Sequence, residues 1–320
     1  MFFGFYIHHL SPFLIQFNQQ FGIRWYGIAY IAGFLGGFYL MKWLARRGYG
    51  SLEEKRVGDF VFYAALFGVL IGGRLGYVLF YRPSMLTEDP IGIFRVWDGG
   101  MASHGGILGL IIFSWIYARR HHISWTGIGD NLVTAAPIGL FCGRIANFIN
   151  GELYGRATTV PWAMQFPAEL LDHPDEAAIA LQQAAKIDAT LDNVPAIIAA
   201  SRHSEQVRSL LAKILTPRYP SQLYEAFLEG ICLFILLLLI RLRFKKPEGL
   251  TTGCFFILYP VMRIIGENFR EPDAPLTGSL TRGQFLSLFM FLIAAGFFWC
   301  AWKNHKSSPR TANSENRNLV

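Results

Sequence analysis

Charged side chains are scarce in this chain of 320 residues: Asp, Glu, Lys and Arg together make up 16%, against about 25% in a typical soluble domain. That shortage weighs against a soluble globular protein. Cysteine is scarcer still. Cys142, Cys232, Cys254 and Cys300 each fall inside an apolar stretch, with neither metal-ligand spacing nor neighbouring bases, and read as buried, inert thiols. There is no zinc motif, Walker loop or nucleophile elbow. The basic residues form no clustered stripe of the kind nucleic-acid binding needs. No internal repeat is visible, which counts against the inverted-repeat transporters. The opening "MFFGFYIHHLSPF" lacks a basic n-region and a small-residue cleavage site, so it does not read as a cleaved signal peptide.

Apolar residues are plentiful, at 52%, with aromatics at 15%, and they come in runs of membrane length. Candidate spans cover 25–45, 58–81, 99–118, 131–150, 223–240, 250–268 and 284–302, each close to the ~20 residues a helix needs to cross a bilayer. The expected fold is an all-α integral membrane protein of about seven transmembrane helices. Lys and Arg collect after the first, third, fifth and seventh spans, at Lys42, Arg46, Arg47, Lys55, Arg56, then Arg119 and Arg120, then Arg241 to Lys246, then Lys303 onward. The alternate short segments hold only Arg24, Arg82, Arg95, Arg270 and Arg282. Cytoplasmic loops retain positive charge, so the N-terminus is expected outside and the C-terminus inside, and the net charge of +7 is a topology signal. Residues 1–302 then form one polytopic unit. An outer-side excursion, 151–222, lies between the fourth and fifth helices, and its part 168–216 reads as one or two short amphipathic helices. The polar tail, 303–320, is expected to be disordered.

Several side chains do not belong in hydrocarbon. Arg74, Arg144 and Arg263 fall within spans, where an arginine costs roughly 2.5–3.5 kcal/mol on insertion scales, so each should face a partner or a wet cavity. In "YPVMRIIGENF", Tyr259, Arg263 and Glu267 are four apart and share a helix face, with an Arg263–Glu267 ion pair as the plainest outcome. In "GRIANFINGELYGR", Arg144, Asn147 and Asn150 point roughly one way, Gly151 breaks the helix and Glu152 follows. Amide and carboxylate groups are therefore expected above Arg144. "DGGMASHGG" (98–106) brings His104 to the outer start of the third span, through glycines that permit a broken entry. "YPSQLYEAFLEG" sets Gln222, Tyr224 and Glu225 at another outer helix start, where Ser221 could cap the helix. Gly68, Gly72 and Gly76 share one face and read as a packing stripe. Two arginines and a histidine on one side, among carboxylates and amides, suggest an intramembrane pocket for an anionic headgroup, with a base near neutral pH.

Taken in order, "RWYG", "GGRLGYVLFY", "FRVWDGGMASHGG", "GRIANFINGELYGR", "PSQLYEAFLEG" and "RIIGENFREPDA" closely resemble prolipoprotein diacylglyceryl transferases of the bacterial inner membrane. The resemblance covers roughly 20–300, apart from 168–216. It implies a multi-pass inner-membrane enzyme with a periplasmic N-terminus and a cytoplasmic C-terminus. Such an enzyme moves diacylglyceryl from phosphatidylglycerol to the lipobox cysteine thiol of a prolipoprotein signal peptide, forming a thioether and leaving glycerol 1-phosphate. Matched motif by motif, the family's functional positions fall on Tyr26, His104, Arg144, Asn147, Glu152, Gly155, Tyr259, Arg263 and Glu267. Of these, Arg144, Asn147, Gly155, Tyr259 and Arg263 would bind phosphatidylglycerol. His104 or a carboxylate would take the thiol proton, and Glu152 and Glu267 would orient the arginines. No metal or organic cofactor is needed for such a displacement, and no nucleic acid is implied as a partner.

The chain departs from the family pattern at Tyr219, where histidine is usual, at Ala146, where glycine is common, and at Ala102-Ser103, in place of Ser-Phe. Two other classes remain as alternatives. An anion transporter would need a polar path through inner halves such as "ICLFILLLLI", which are almost wholly apolar. A phosphatidyl-group transferase would need the metal-binding aspartate clusters that are missing here.

Overall fold

A computed structural model describes residues 5–17, 22–96, 99–272 and 281–307. In chain order it forms β1 (Tyr6–Ile7), β2 (Phe13–Gln16), β3 (Gly22–Arg24), α1 (Trp25–Arg46), α2 (Glu54–Tyr81), α3 (Met85–Glu88), α4 (Ser103–Arg120), α5 (Trp125–Asn150), β4 (Met164–Gln165), α6 (Pro174–Ala184), α7 (Val194–Ser201), α8 (Glu205–Leu211), α9 (Ser221–Arg243), α10 (Leu250–Glu267) and α11 (Arg282–Ser307). Among the described residues six helices are long and apolar enough to cross a membrane: α1, α2, α5, α9, α10 and the 283–303 part of α11. The remaining expected span, 99–118, is the 18-residue α4, which ends on Arg119 and Arg120. Helix α11 continues to Ser307, into the stretch expected to be a disordered tail. The rest of that tail lies outside the described residues.

The helix ends follow from local chemistry. At the end of α1 the Gly48 N–H reaches the Ala45 carbonyl at 2.9 Å and the Tyr49 N–H reaches Leu44 at 2.9 Å. This pair of bonds needs a left-handed residue at Gly48 (φ 73°), which glycine adopts without a Cβ penalty. The same closure ends α5, where Gly151 bonds to Phe148 at 2.9 Å and Glu152 to Asn147 at 3.2 Å. Pro137 sits inside α5 and Pro260 inside α10. Each removes one backbone donor from its helix.

The chain divides into two compact units. The first comprises Met1–Leu35, Ala136–Leu236 and Ile257–Phe291. It holds the β2–β3 antiparallel hairpin and the parallel pair β1–β4, in which Tyr6 faces Met164 and Ile7 faces Gln165. Its excursion differs from the one or two helices expected. Three helices, α6 to α8, close around a core of their own in which Ala180, Ala184, Ile197 and Leu211 are fully buried. A solvated pair of helices would leave those residues half wet; a third helix lets every apolar stripe find a partner.

The second unit comprises Gly36–Ala135, Leu237–Phe256 and Leu292–Val320. Here the glycine stripe of α2 meets a matching stripe on α4. A Cβ on Gly72 would lie 2.7 Å from the Gly105 carbonyl oxygen, and one on Gly76 would lie 2.5 Å from the Gly105 Cα. The two backbones therefore touch directly, as the packing reading expects. Phe60, Val57 and Ile128 are fully buried in this unit's core.

Arg241 departs from expectation. It was counted among loop charges, yet it is fully buried, 3.0 Å from Asn131 Oδ1 and 3.4 Å from Asp130 Oδ2. Asp130 in turn accepts from the Gly249 and Thr252 N–H groups at 2.9 Å each and caps the start of α10. This buried polar cluster closes the end of α9, just past the almost wholly apolar 231–240. The cysteines are half-buried rather than buried.

Candidate active site

The first unit gathers Tyr26, Arg144, Asn147, Glu152, Gly155, Tyr259, Arg263 and Glu267. They form two clusters and a backbone clasp, and the pairing within them differs from the sequence expectation.

Helices α5, α9 and α10 build the first cluster. Arg144 on α5 meets Glu225 Oε2 at 3.0 Å and Glu229 Oε2 at 2.9 Å. Arg263 on α10 donates through Nη1 to Glu225 Oε1 at 3.0 Å and Glu229 Oε1 at 3.2 Å, and through Nη2 to Glu267 Oε1 at 2.5 Å. Arg270, past the end of α10, adds a 3.4 Å contact to Glu225 Oε1. The expected Arg263–Glu267 pair is present, but as one edge of a cage in which two carboxylates of α9 bridge two arginines. Tyr259, one turn before Arg263, lies within electrostatic reach of Glu229, Arg263, Arg144 and Glu225.

Exposure is unequal within this cage. The Glu225 and Glu229 side chains are fully buried, whereas Arg144 and Arg263 keep 13% and 14% of theirs exposed. Two of the five guanidinium donors of Arg144 are hydrogen-bonded to Glu229, and Nη1 lies 3.0 Å from Glu225 Oε2. The exposed edge retains N–H groups for a further acceptor.

The second cluster corrects the environment expected for Arg144. Asn147 and Glu152 do not sit on that arginine. The closure that ends α5 folds Glu152 back onto the turn it has just left, so the Asn147 amide donates to Glu152 Oε1 at 2.8 Å. The Tyr26 hydroxyl also donates to Glu152 Oε1, and the Asn147 amide contacts the Tyr26 oxygen. Gln222 Nε2 holds the Glu152 carbonyl at 2.6 Å. Glu267 thus bonds an arginine, whereas Glu152 bonds Tyr26 and Asn147. Ser221 is likewise no cap; its hydroxyl donates to the Leu153 carbonyl at 3.0 Å.

Gly155 stands between two extended segments. Its N–H donates to Tyr219 O at 2.9 Å, and the next N–H, of Arg156, donates to Phe269 O at 2.9 Å. A Cβ at 155 would lie 2.5 Å from both of those carbonyl oxygens, so only glycine fits. Tyr219, where the family usually has histidine, contributes backbone to this clasp and stacks edge-on against Phe269.

Below the clasp, Arg218 binds Glu169 and stands 3.2 Å from Glu271. Its guanidinium also lies over the Tyr154 ring. Burial pushes the Glu169 carboxyl upward, against the pull of Arg218. Burial and the bond to Asp172 raise the Tyr154 phenol. This network ties the excursion to the turn that carries Gly155.

His104 belongs to the second unit, as the second residue of α4, with an exposed side chain. Trp97 and Asp98, from the motif before it, lie outside the described residues, as do residues 273 and 274 of the last motif. Among the described residues no group of three or more His, Cys, Asp or Glu side chains could hold a metal ion.

Sequence reasoning named Glu225 only as part of a helix start and passed over Glu229 and Gly283. The signal for Glu229 was available: two carboxylates four apart in an otherwise apolar span are as costly as the arginines that drew attention. Gly283 left no such trace. A Cβ there would overlap Glu267 Oε1 and come within 3.4 Å of Arg263 Nε, so α11 starts flush against the cage.

These features define a polytopic helical membrane protein with a buried arginine–carboxylate cage reachable from one edge. The comparisons narrow the class. The family model described as prolipoprotein diacylglyceryl transferase matches residues 12–300. A phosphatidylglycerol–prolipoprotein diacylglyceryl transferase of Bdellovibrio bacteriovorus is 39% identical over 325 residues, 90% of this chain and 91% of its own. Proteins of the same name from Coxiella burnetii, 37% identical over 93% of this chain and 98% of theirs, and from Bradyrhizobium diazoefficiens, 39% over 88% of each, are also similar. The chain belongs to the prolipoprotein diacylglyceryl transferase family.

Proposed function

We propose that this chain transfers the diacylglyceryl group of phosphatidylglycerol to the lipobox cysteine thiol of prolipoproteins, in the bacterial inner membrane. In this reading α4 is a seventh span, the N-terminus is periplasmic and the C-terminus cytoplasmic. The polytopic part runs over 1–302, with the outer excursion at 151–222. The observation that carries the reading is the pair Arg144 and Arg263, locked together by Glu225 and Glu229 with their free edges exposed.

The phosphate diester of the lipid is held by those free N–H edges, which suit charge-assisted and bidentate bonding. Tyr259, Asn147 and the Gly155 turn border the headgroup. The cysteine sulfur attacks the glyceryl carbon that bears the phosphate oxygen. A carbon–sulfur bond forms, the carbon–oxygen bond breaks, and glycerol 1-phosphate leaves with the bonding pair. The phosphate gains one negative charge in that step, and donors already fixed by Glu225, Glu229 and Glu267 stabilise it without reorganising. The thiol, with a pKa of about 8.5, is a poor nucleophile until deprotonated. His104 takes that proton. Tyr26 and Asn147 are held in place by Glu152.

The test is transfer of labelled glycerol lipid from phosphatidylglycerol to a lipobox cysteine peptide by the purified protein, beside its Arg144→Ala variant. Thioether formation by the wild type, with a loss of about 100-fold or more in the variant, is expected for one charged transition-state contact. A folded wild-type protein that transfers nothing would refute the reading.

A further inference from the structure

Of Arg74, Arg144 and Arg263, the arginines expected within spans, Arg74 is the one that the cage leaves unused. It lies on α2, is 4% exposed, and among the described residues pairs with no carboxylate. Its partners are backbone carbonyls of the segment leading into α4. Nε donates to Ile93 O at 2.8 Å, Nη2 to Gly92 O at 2.6 Å, and Nη1 to Gly99 O and, at 3.0 Å, to Gly100 O. Two separate turns of one loop are thus drawn onto a single guanidinium. A planar fork with five donors can do this, and a lysine ammonium cannot.

The loop is shaped to allow it. Gly99 and Gly100 have φ of 83° and 79°, and a Cβ on Gly100 would lie 2.6 Å from the Tyr77 ring and 2.8 Å from Arg74 Nη1. Directly after, Ala102 N–H bonds to the carbonyl of Gly73, the neighbour of Arg74, at 2.9 Å. Helix α4 then begins, with His104 in its first turn. Its body is seated by the glycine-to-glycine contact with α2. These constraints on where α4 starts come from α2, and the charged one is Arg74.

We propose that Arg74 is a positioning residue for the transfer reaction: it holds Gly92, Ile93, Gly99 and Gly100 on α2 and so fixes the place and orientation of His104. This rests on the reading of His104 as the base. The charge is kept in the membrane because the four carbonyl dipoles solvate it and because nothing smaller spans both turns.

The test uses the full-length enzyme with Arg74→Lys, which keeps the charge but not the fork, and Gly100→Ala, which disturbs the same contact from the loop side. In both, amide hydrogen exchange should quicken at least about tenfold across 99–106 and stay at wild-type rates across 174–211. The kcat should fall about 100-fold, the scale of an ångström-sized misplacement, with KM for phosphatidylglycerol changed less than about twofold. The double variant should be no slower than the slower single, because both break one contact. Exchange that rises along the whole chain, or a KM effect in place of a kcat effect, overturns the proposal. Wild-type kcat in Arg74→Lys, with His104→Ala inactive, overturns it alone. Full activity in His104→Ala overturns the base assignment and this inference together.

Discussion

Glu229 shows what a single buried carboxylate does in this molecule. It faces Arg144 at 2.9 Å and Arg263 at 3.2 Å, with no exposure of its own. Removing one member of a buried ion pair leaves its partners charged and short of acceptors, at a cost of about 3–5 kcal/mol. Glu229→Ala should therefore lower the thermal midpoint in detergent. The double variant Arg144→Ala/Glu229→Ala should lose less than the sum of the two singles. Strict additivity would mean that the pair is not coupled. At this scale the sequence was legible where cost and spacing coincide. Arg263 and Glu267, four apart on one helix, could be paired on sight. Arg144 and Glu229 could not, because their contact spans 85 positions and two helices. Spacing also misled: Asn147 lies on the face of Arg144 in a regular helix, but the closing turn at Gly151 brings Glu152 to it instead.

Elements dock here through few but demanding contacts, and β1 is an example. His8, which follows it, is 5% exposed between the rings of Phe148 and Phe166, each 5.5 Å away. Burial, with smaller contributions from His9 and Arg202, pushes the imidazole down to about 4 from an ordinary 6.5. Between those values the unfolded chain binds a proton that the folded chain refuses. Stability present above pH 6.5 is lost as the pH falls toward 4, by up to about 3 kcal/mol. Thermal midpoints at pH 7.5 and pH 5 should differ more for the wild type than for His8→Phe. Parallel curves would show that His8 does not titrate between the two states. The helices themselves were readable from apolar runs and charge clusters to within a few residues. The excursion was not, because Ala-rich stripes do not reveal whether they face water or one another. Arg241 was misplaced because a basic residue at the end of an apolar run looks the same in a loop and in a pocket closed by Asp130.

For the whole molecule, the proposed orientation makes a direct prediction. In a variant lacking the four native cysteines, Ser209→Cys on α8 should react with a membrane-impermeant maleimide added to intact spheroplasts. Lys55→Cys, near the start of α2, should react only after lysis; the reverse pattern would invert the topology. The cage has a consequence for how such a chain is made. Arg144 enters the bilayer about 80 residues before Glu225 and Glu229 are synthesised, a lag of roughly 4–16 s at ribosomal speed. Throughout that interval α5 carries a cation whose counter-ions do not yet exist. The residues proposed to grip a lipid phosphate are therefore the ones that make insertion order matter, because α5 carries that uncompensated cost until α9 arrives.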